Sequence, residues 1–467
     1  MGVTKPREKT IVEFGLPMTR DQADAIYDHG REAVIFVLLE LAARLGEQAG
    51  GRPSATTPSG MVPPYHKPRA TGRKKKPGAK PGHEGRRRGR PPKITHREDH
   101  PPQSRCPTCG SPLADPTEHR FRLIEDIPET QPEVTEHCIP RQWCPGCKKL
   151  VEPPVVDAMP GAQFGHRLVA LSAWLHYGLG TTLSQIIDVL RHHAQFELSP
   201  GGLMAAWERL AEVFSAWYAE IEAEVKASGV LHADETGWRV NGRTHWLWCF
   251  STPRATCYII DRSRGSPALS KFFTSAFDGV LVTDFWAAYN AVDCTARQAC
   301  LPHLFRELDK TDEHDRTAAW AAFSKKLKRL LRDAVRLGKR DGLSDDRFAS
   351  RRARLDERLA ALFDSPTENK NVRRLQKRLR RYRDALFTFL DHPEVPSDNN
   401  HAEREIRPAV IMRKNSLANR SDNGARTQAI LMTVYRTLRL RGHDPLDTIV
   451  GALRESVRNG ALPPLPT

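Results

Sequence analysis

Three acidic residues stand in surroundings that suit metal-assisted chemistry on phosphate. Asp234 lies in LHADETGW, inside an alternating strand-like segment. Asp284 closes the apolar run GVLVTDFWAAYN, where a carboxylate is costly to bury unpaired and is expected at a strand end facing a site. Glu403 lies in SDNNHAEREIRP, read as a helix that Asp398 or Asn399 caps and Pro408 ends. Hard divalent cations take oxygen ligands, and three carboxylates suffice for Mg²⁺ (or Mn²⁺) because it keeps waters and substrate phosphate in its shell. Two such ions about 3.5–4 Å apart activate the attacking oxygen and stabilise the leaving oxygen when a phosphodiester is cut or rejoined. Strand alternation turns Glu235 to the face opposite Asp234. On a helix, Asn399, Glu403 and Arg407 share one stripe, while Glu405 points about 200° away from Glu403. A carboxylate beside a phosphate-binding arginine favours Glu403 over Glu405 as the third ligand.

A second chemistry is carried by thiols. Cys106-x-x-Cys109 and Cys144-x-x-Cys147 are each followed by small or basic residues, as in a zinc knuckle, and four thiolates match the closed tetrahedral coordination of structural Zn²⁺. The gap between the pairs exceeds the common spacing, and alternation over 121–127 and 132–139 predicts strands that fill it. Cys300, His303 and Arg306 in CLPHLFR form a further Cys-x-x-His pattern. Two ligands alone do not make a zinc site, so this segment is either a core cysteine with a satisfied histidine or a device that orients DNA or the acids. Nine cysteines, an odd number with two Cys-x-x-Cys pairs among them, argue for thiolates in a reducing compartment, hence a cytoplasmic protein.

The elements that must position these groups follow from periodicity. Residues 230–240, 245–251 and 255–260 read as three strands, 267–273 as a helix and 279–283 as a buried strand ending on Asp284. A further helix and a short strand at 297–301 complete a βββαβαβ order, that of an α/β ribonuclease H-like catalytic domain. That domain is expected over 229–442 with a helical insertion at about 312–392, and Lys325 to Arg383 alone carries 21 Lys or Arg against 8 acids. A helical DNA-binding or assembly domain is expected over 160–228, with a helix starting at Ser199-Pro200, and a small zinc-binding domain over 103–152. Ahead of it lie a basic Pro/Gly-rich linker over 50–102 and an N-terminal helix within 1–49, continuous from Asp21 to Gln48. A C-terminal tail is expected over 443–467. Lys67 to Arg97 holds thirteen Lys or Arg against the single acid Glu84, a density that favours phosphate as neutraliser. With a net charge of +16 over 467 residues, the first expected partner is double-stranded DNA. No segment reads as a membrane span or secretory signal.

At these motifs the chain resembles transposases of the insertion sequence 66 family. RKKKPGAKPGHEG resembles that family's basic segment, CPTCG and CPGC its zinc-binding cysteines, and HADET and VTDFWAAYN its two aspartate motifs. The run from SDNNHAEREIRP through Arg413-Lys414-Asn415 to SDNGAR looks like its glutamate motif and following helix. The resemblance implies a catalytic triad of Asp234, Asp284 and Glu403, and assembly as a homo-oligomer on transposon ends, with accessory transposon proteins left open. Residues expected to contact DNA or support the site are Cys300, His303, Arg306, Asn399, Arg404, Arg407, Arg413 and Lys414. The rival expectation is a catalytically silent, transposon-derived zinc-finger DNA-binding protein.

Overall fold

The computed structural model describes residues 20–28, 30, 34, 84, 89–340, 342–416 and 418–467. The chain divides into two units, residues 1–124 and 125–467. In the first, α1 (Arg20–Asp28) stops short of the expected continuous helix. Gly30 takes φ +93°, a left-handed conformation that glycine adopts without cost, and its N–H bonds to Tyr27 O at 2.9 Å. The apolar stripe beyond Val34 and most of the basic block lie outside the described residues.

No strand forms over 121–127 or 132–139, contrary to the alternation. Phe121 in the first unit and Val134 in the second are 79% and 89% exposed. Alternation specifies a strand only where a paired neighbour and a packing layer exist to reward it, and these segments have neither. The second unit instead opens with a short hairpin, β1 (Gln142–Cys144) and β2 (Lys149–Val151).

Four helices follow: α2 (His166–Ala173), α3 (Leu183–Ala194), α4 (Pro200–Val213) and α5 (Ser215–Lys226). Thr182 and Gln185 form a reciprocal capping box at α3, and the Ser199 hydroxyl accepts the Gly202 N–H at 3.0 Å with Pro200 in the first turn of α4. Leu203, Trp207, Leu210, Trp217 and Ile221 are buried from these helices.

The central sheet has β3 (Val230–Val240), β4 (Arg243–Ser251) and β5 (Thr256–Asp261) as an antiparallel meander, then α6 (Ser266–Phe272), β6 (Phe277–Thr283) and β7 (Cys294–Ala299). Its order is β5-β4-β3-β6-β7, with β6 parallel to both β3 and β7. The helix expected between β6 and β7 is a single 3₁₀ turn, Ala287–Ala291. Gly279 is required where β6 passes β3: a Cβ there would lie 2.7 Å from Gly229 O and from the Phe277 ring.

Helices α7 (Leu301–His314), α8 (Ala318–Gly338), α9 (Asp345–Asp364), α10 (Lys370–Arg381) and α11 (Thr388–Asp391) pack with Val280 and Val282 in one apolar cluster. Leu231, Leu247 and Leu281 belong to another, shared with α12 (Asn400–Ser416), α13 (Asp422–Leu440) and α14 (Pro445–Asn459). The outer strand β5 is covered by α13: Thr433 and Thr437 hydroxyls accept the Tyr258 and Thr256 N–H groups at 3.0 and 3.1 Å, so its donors are not left open.

Two expectations need correction. Pro408 does not end its helix, because α12 continues to Ser416. Proline removes one N–H, and the carbonyl it leaves belongs to Arg404, whose side chain faces solvent, while Ala409 and Met412 keep the helix anchored in the core. The segment after residue 443 is not a tail: α14, capped by Asp444, buries Ile449 and Leu453, and Trp217 donates its indole N–H to Pro463 O at 2.8 Å.

Candidate active site and metal centre

Asp234 and Asp284 meet because β3 and β6 run parallel. The register His232↔Val282 brings position 234 level with position 284, and β7 ends beside them, where the Cys300 N–H bonds to Thr283 O at 2.8 Å. Open α/β sheets place ligands at such carboxyl-end edges. Asp234 Oδ1 accepts the Glu235 N–H at 2.9 Å, and Asp284 Oδ1 accepts the Trp286 N–H at 2.8 Å.

The first turn of α12 brings Glu403 to the same edge. Asn399, buried, fixes this approach: its side-chain N–H₂ donates to Ala233 O at 2.8 Å, its Oδ1 lies 3.1 Å from His232 Nδ1, and its backbone N–H points at Cys300 Sγ at 3.3 Å. One residue, through its side chain and its backbone N–H, thus ties the strand of Asp234, the end of β7 and the start of α12 together.

The electrostatics mark one shared acidic site. Burial pushes the Asp234 carboxyl well above the usual carboxylate range, and the charges of Glu235, Asp284 and Glu403 push it further. Asp284 is raised to about 6, first by burial and then by Glu235. Burial, aided by Arg306, lowers His303, so the ring is neutral at neutral pH. Arg306 donates to Glu403 Oε1 at 3.1 Å, and His303 Nδ1 stands 3.6 Å from the same oxygen, beyond hydrogen-bond reach.

Glu405 is disposed otherwise. Its side chain is buried and bonds to Arg436 Nη2 at 2.6 Å and Nε at 3.0 Å. It is a structural ion pair, whereas Glu403 is paired with the exposed Arg306. Arg404, Arg407 and Lys414 are exposed on the same helix, whereas Arg413 donates to Gly237 O at 2.9 Å and braces β3.

Strand alternation alone makes Glu235 an inert neighbour, and the structure gives it more. Its carboxylate, buried, accepts from Arg264 Nη2 at 3.0 Å and from Tyr289 OH at 2.8 Å. The Arg264 guanidinium lies between the rings of Trp246 and Trp286, at 4.5 and 4.1 Å. This charge raises both aspartates. The only signal in sequence was the pair of tryptophans flanking the motifs, which gives no pairing. The insertion also reaches the site: Arg378 sits over the Phe285 ring at 4.6 Å, and Tyr382 OH donates to Phe285 O at 3.1 Å.

The cysteine pairs lie one in each unit. Around the first, Gly110 N–H bonds to Cys106 O and Cys106 N–H to Ser111 O, both at 2.9 Å. Around the second, Cys147 N–H points at Cys144 Sγ at 3.4 Å. The residue after each second cysteine, Gly110 or Lys148, has positive φ. Cys109 is lowered, chiefly by Ser111, and Cys144 chiefly by the Cys147 N–H, so each knuckle favours a thiolate.

Residues 161–427, more than half of the chain, match the family described as Transposase IS66 family, and residues 103–148 match the zinc-finger binding domain of transposase IS66. A zinc-finger model and a transposase model thus match successive stretches of the chain, the second over the mixed five-stranded sheet. The chain belongs to the IS66 transposase family. It is also similar to two proteins of Sinorhizobium fredii (strain NBRC 101917 / NGR234). Identity is 30% over 260 residues with the uncharacterized protein y4qI, covering 48% of this chain and 47% of that protein. With the uncharacterized protein y4hP it is 23% over 393 residues, covering 74% and 69%. The chain therefore spans about half the length of the first. Among the described residues no helix is long and apolar enough to cross a membrane.

Proposed function

We propose that this transposase binds transposon ends as double-stranded DNA and catalyses metal-dependent strand cleavage and strand transfer with Asp234, Asp284 and Glu403. The observation that carries this is the parallel register of β3 and β6, which brings Asp234 and Asp284 to one strand edge, to which Asn399 ties the start of the helix that bears Glu403. The sheet order β5-β4-β3-β6-β7, antiparallel then parallel, supports a ribonuclease H-like catalytic domain.

The donor set fits a hard cation: the three groups are all carboxylates, and burial beside other acids raises Asp234 and Asp284, a repulsion that a divalent ion relieves. Asp234, Asp284 and Glu403 would hold Mg²⁺ or Mn²⁺. When bound, such ions activate the attacking oxygen and stabilise the leaving one. The chain's own residues do the rest. Asn399 sets the position of Glu403 relative to β3. The Trp286 N–H orients the Asp284 carboxylate. Arg306 neutralises Glu403 in the DNA-free protein, and its exposed guanidinium can turn to a backbone phosphate. Arg404, Arg407 and Lys414 extend a basic stripe along α12 for the same backbone. Cys106, Cys109, Cys144 and Cys147 would hold Zn²⁺, and the assembly on transposon ends is a homo-oligomer in the cytoplasm.

The test is incubation of the purified protein with a labelled transposon-end duplex, a target duplex and Mg²⁺. The expected products are a cut end and an end joined to target. Tight, sequence-dependent binding with no cleavage in Mg²⁺ or Mn²⁺ would identify a silent DNA-binding protein instead.

A further inference from the structure

The Cys-x-x-His segment is not needed for the carboxylate chemistry, yet the fold builds a ligand set around it. Among the described residues, the one trio of metal-capable side chains whose donor atoms all lie within 4.8 Å of one another is Cys300, His303 and Glu403. Cys300 caps the end of β7 at the start of α7, His303 lies in the first turn of α7, and Glu403 reaches in from α12. Two ligands adjacent in sequence and a third from a distant element is the usual make-up of a protein metal site, since the distant ligand fixes the ion to the fold.

The spacing is right. Imidazole and carboxylate ligands on one tetrahedral ion, at bond lengths of about 2.0–2.2 Å, stand about 3.3–3.5 Å apart. His303 Nδ1 and Glu403 Oε1 are 3.6 Å apart. His303 Nδ1 is buried without a hydrogen-bond partner, an atom that normally has one, and it faces this gap. Cys300 Sγ accepts backbone N–H groups, from Asn399 at 3.3 Å and from His303, bonds typical of metal-bound sulfur as well. The one competitor is Arg306, whose exposed side chain pairs with Glu403 and can swing away.

We propose that Cys300, His303 and Glu403 form a second metal site that takes a borderline ion of the Zn²⁺ class rather than Mg²⁺, since thiolate and imidazole select against hard cations. Three protein ligands leave a fourth position open. Because Glu403 is also a ligand of the proposed catalytic centre, and this part rests on that assignment, a Zn²⁺-class ion here withdraws Glu403 from Mg²⁺. The site is then an inhibitory one, sensitive to the ratio of the two ions.

The experiment uses the full chain with its cysteine knuckles loaded with zinc, titrated with Co²⁺ alone and followed by absorption. The expected result is about one further equivalent of Co²⁺ with a sulfur-to-cobalt charge-transfer band. That band is lost in Cys300→Ser, and affinity falls at least about tenfold in His303→Gln and Glu403→Gln, consistent with loss of one ligand. Arg306→Gln, which frees Glu403, tightens binding and guards against a variant that fails simply by misfolding. Absence of a further Co²⁺ site, or a charge-transfer band that survives Cys300→Ser in folded protein, overturns the proposal. Binding is read without DNA, so it stands or falls separately from strand cleavage. If both hold, added Zn²⁺ inhibits Mg²⁺-dependent cleavage, and inhibition that persists in folded Cys300→Ser protein refutes the inhibitory role.

Discussion

Asp284→Asn should stabilise the metal-free protein while removing its chemistry. In the folded chain Asp284 is held at about 6, against an ordinary value of 3.8, first by burial and then by the charge of Glu235. A carboxyl with a raised folded value binds its proton more tightly folded than unfolded, so its ionisation costs stability above pH 6, and the cost disappears below pH 4. That difference corresponds to about 3 kcal/mol. Asparagine keeps an oxygen for the Trp286 N–H and carries no charge, so the variant should gain roughly 3 kcal/mol at pH 8 and nothing near pH 4. For a domain of this size that is a rise in melting temperature of roughly 5 °C or more. The assay is a set of thermal melts of both proteins in EDTA, with the knuckle zinc accounted for, across that pH range. Addition of Mg²⁺ should then stabilise the unmodified protein and leave the variant unmoved. Asp284→Asn that destabilises the metal-free protein at pH 8, or an effect independent of pH, would refute the electrostatic reasoning.

Other consequences follow from the same geometry. Arg436→Met should cost about 3–5 kcal/mol in denaturant unfolding by leaving Glu405 buried and unpaired, and adding Glu405→Gln should recover part of it. The purified protein should carry about one tightly bound Zn²⁺ through its knuckles, and Cys144→Ser should release it, as read by metal analysis; a zinc-free unmodified protein would contradict this. If the basic segments contact 6–10 phosphates, duplex affinity should fall by roughly 10³ to 10⁵ between 50 and 200 mM salt, measured by fluorescence anisotropy.

The sheet was legible because its strands are bounded by turns, and Asp284 stood out because it follows directly on an apolar strand, where a carboxylate is costly to place without a use. Helical angle separates Glu403 from Glu405, and the fold adds that Glu405 is held in a buried pair with Arg436. What sequence did not disclose depends on partners distant along the chain. Strands over 121–127 and 132–139 fail because no neighbouring strand lies beside either, α12 outlasts Pro408 because Ala409 and Met412 are held by the core, and α14 forms because Ile449 and Leu453 find a cluster to join. The partners of Glu235 were hidden for the same reason: alternation gives its face, and only the fold brings Arg264, Tyr289 and two tryptophans to it.

The central claim is that three acids do one job, and strand cleavage by Asp234→Asn, Asp284→Asn and Glu403→Gln tests it most directly. Each variant should stay folded and bind a transposon-end duplex, and each should lose cleavage by orders of magnitude in Mg²⁺, because an amide is a neutral and weaker ligand where negative charge is required. Partial recovery in Mn²⁺ would add support. Cleavage by folded Glu403→Gln at the unmodified rate would contradict the account.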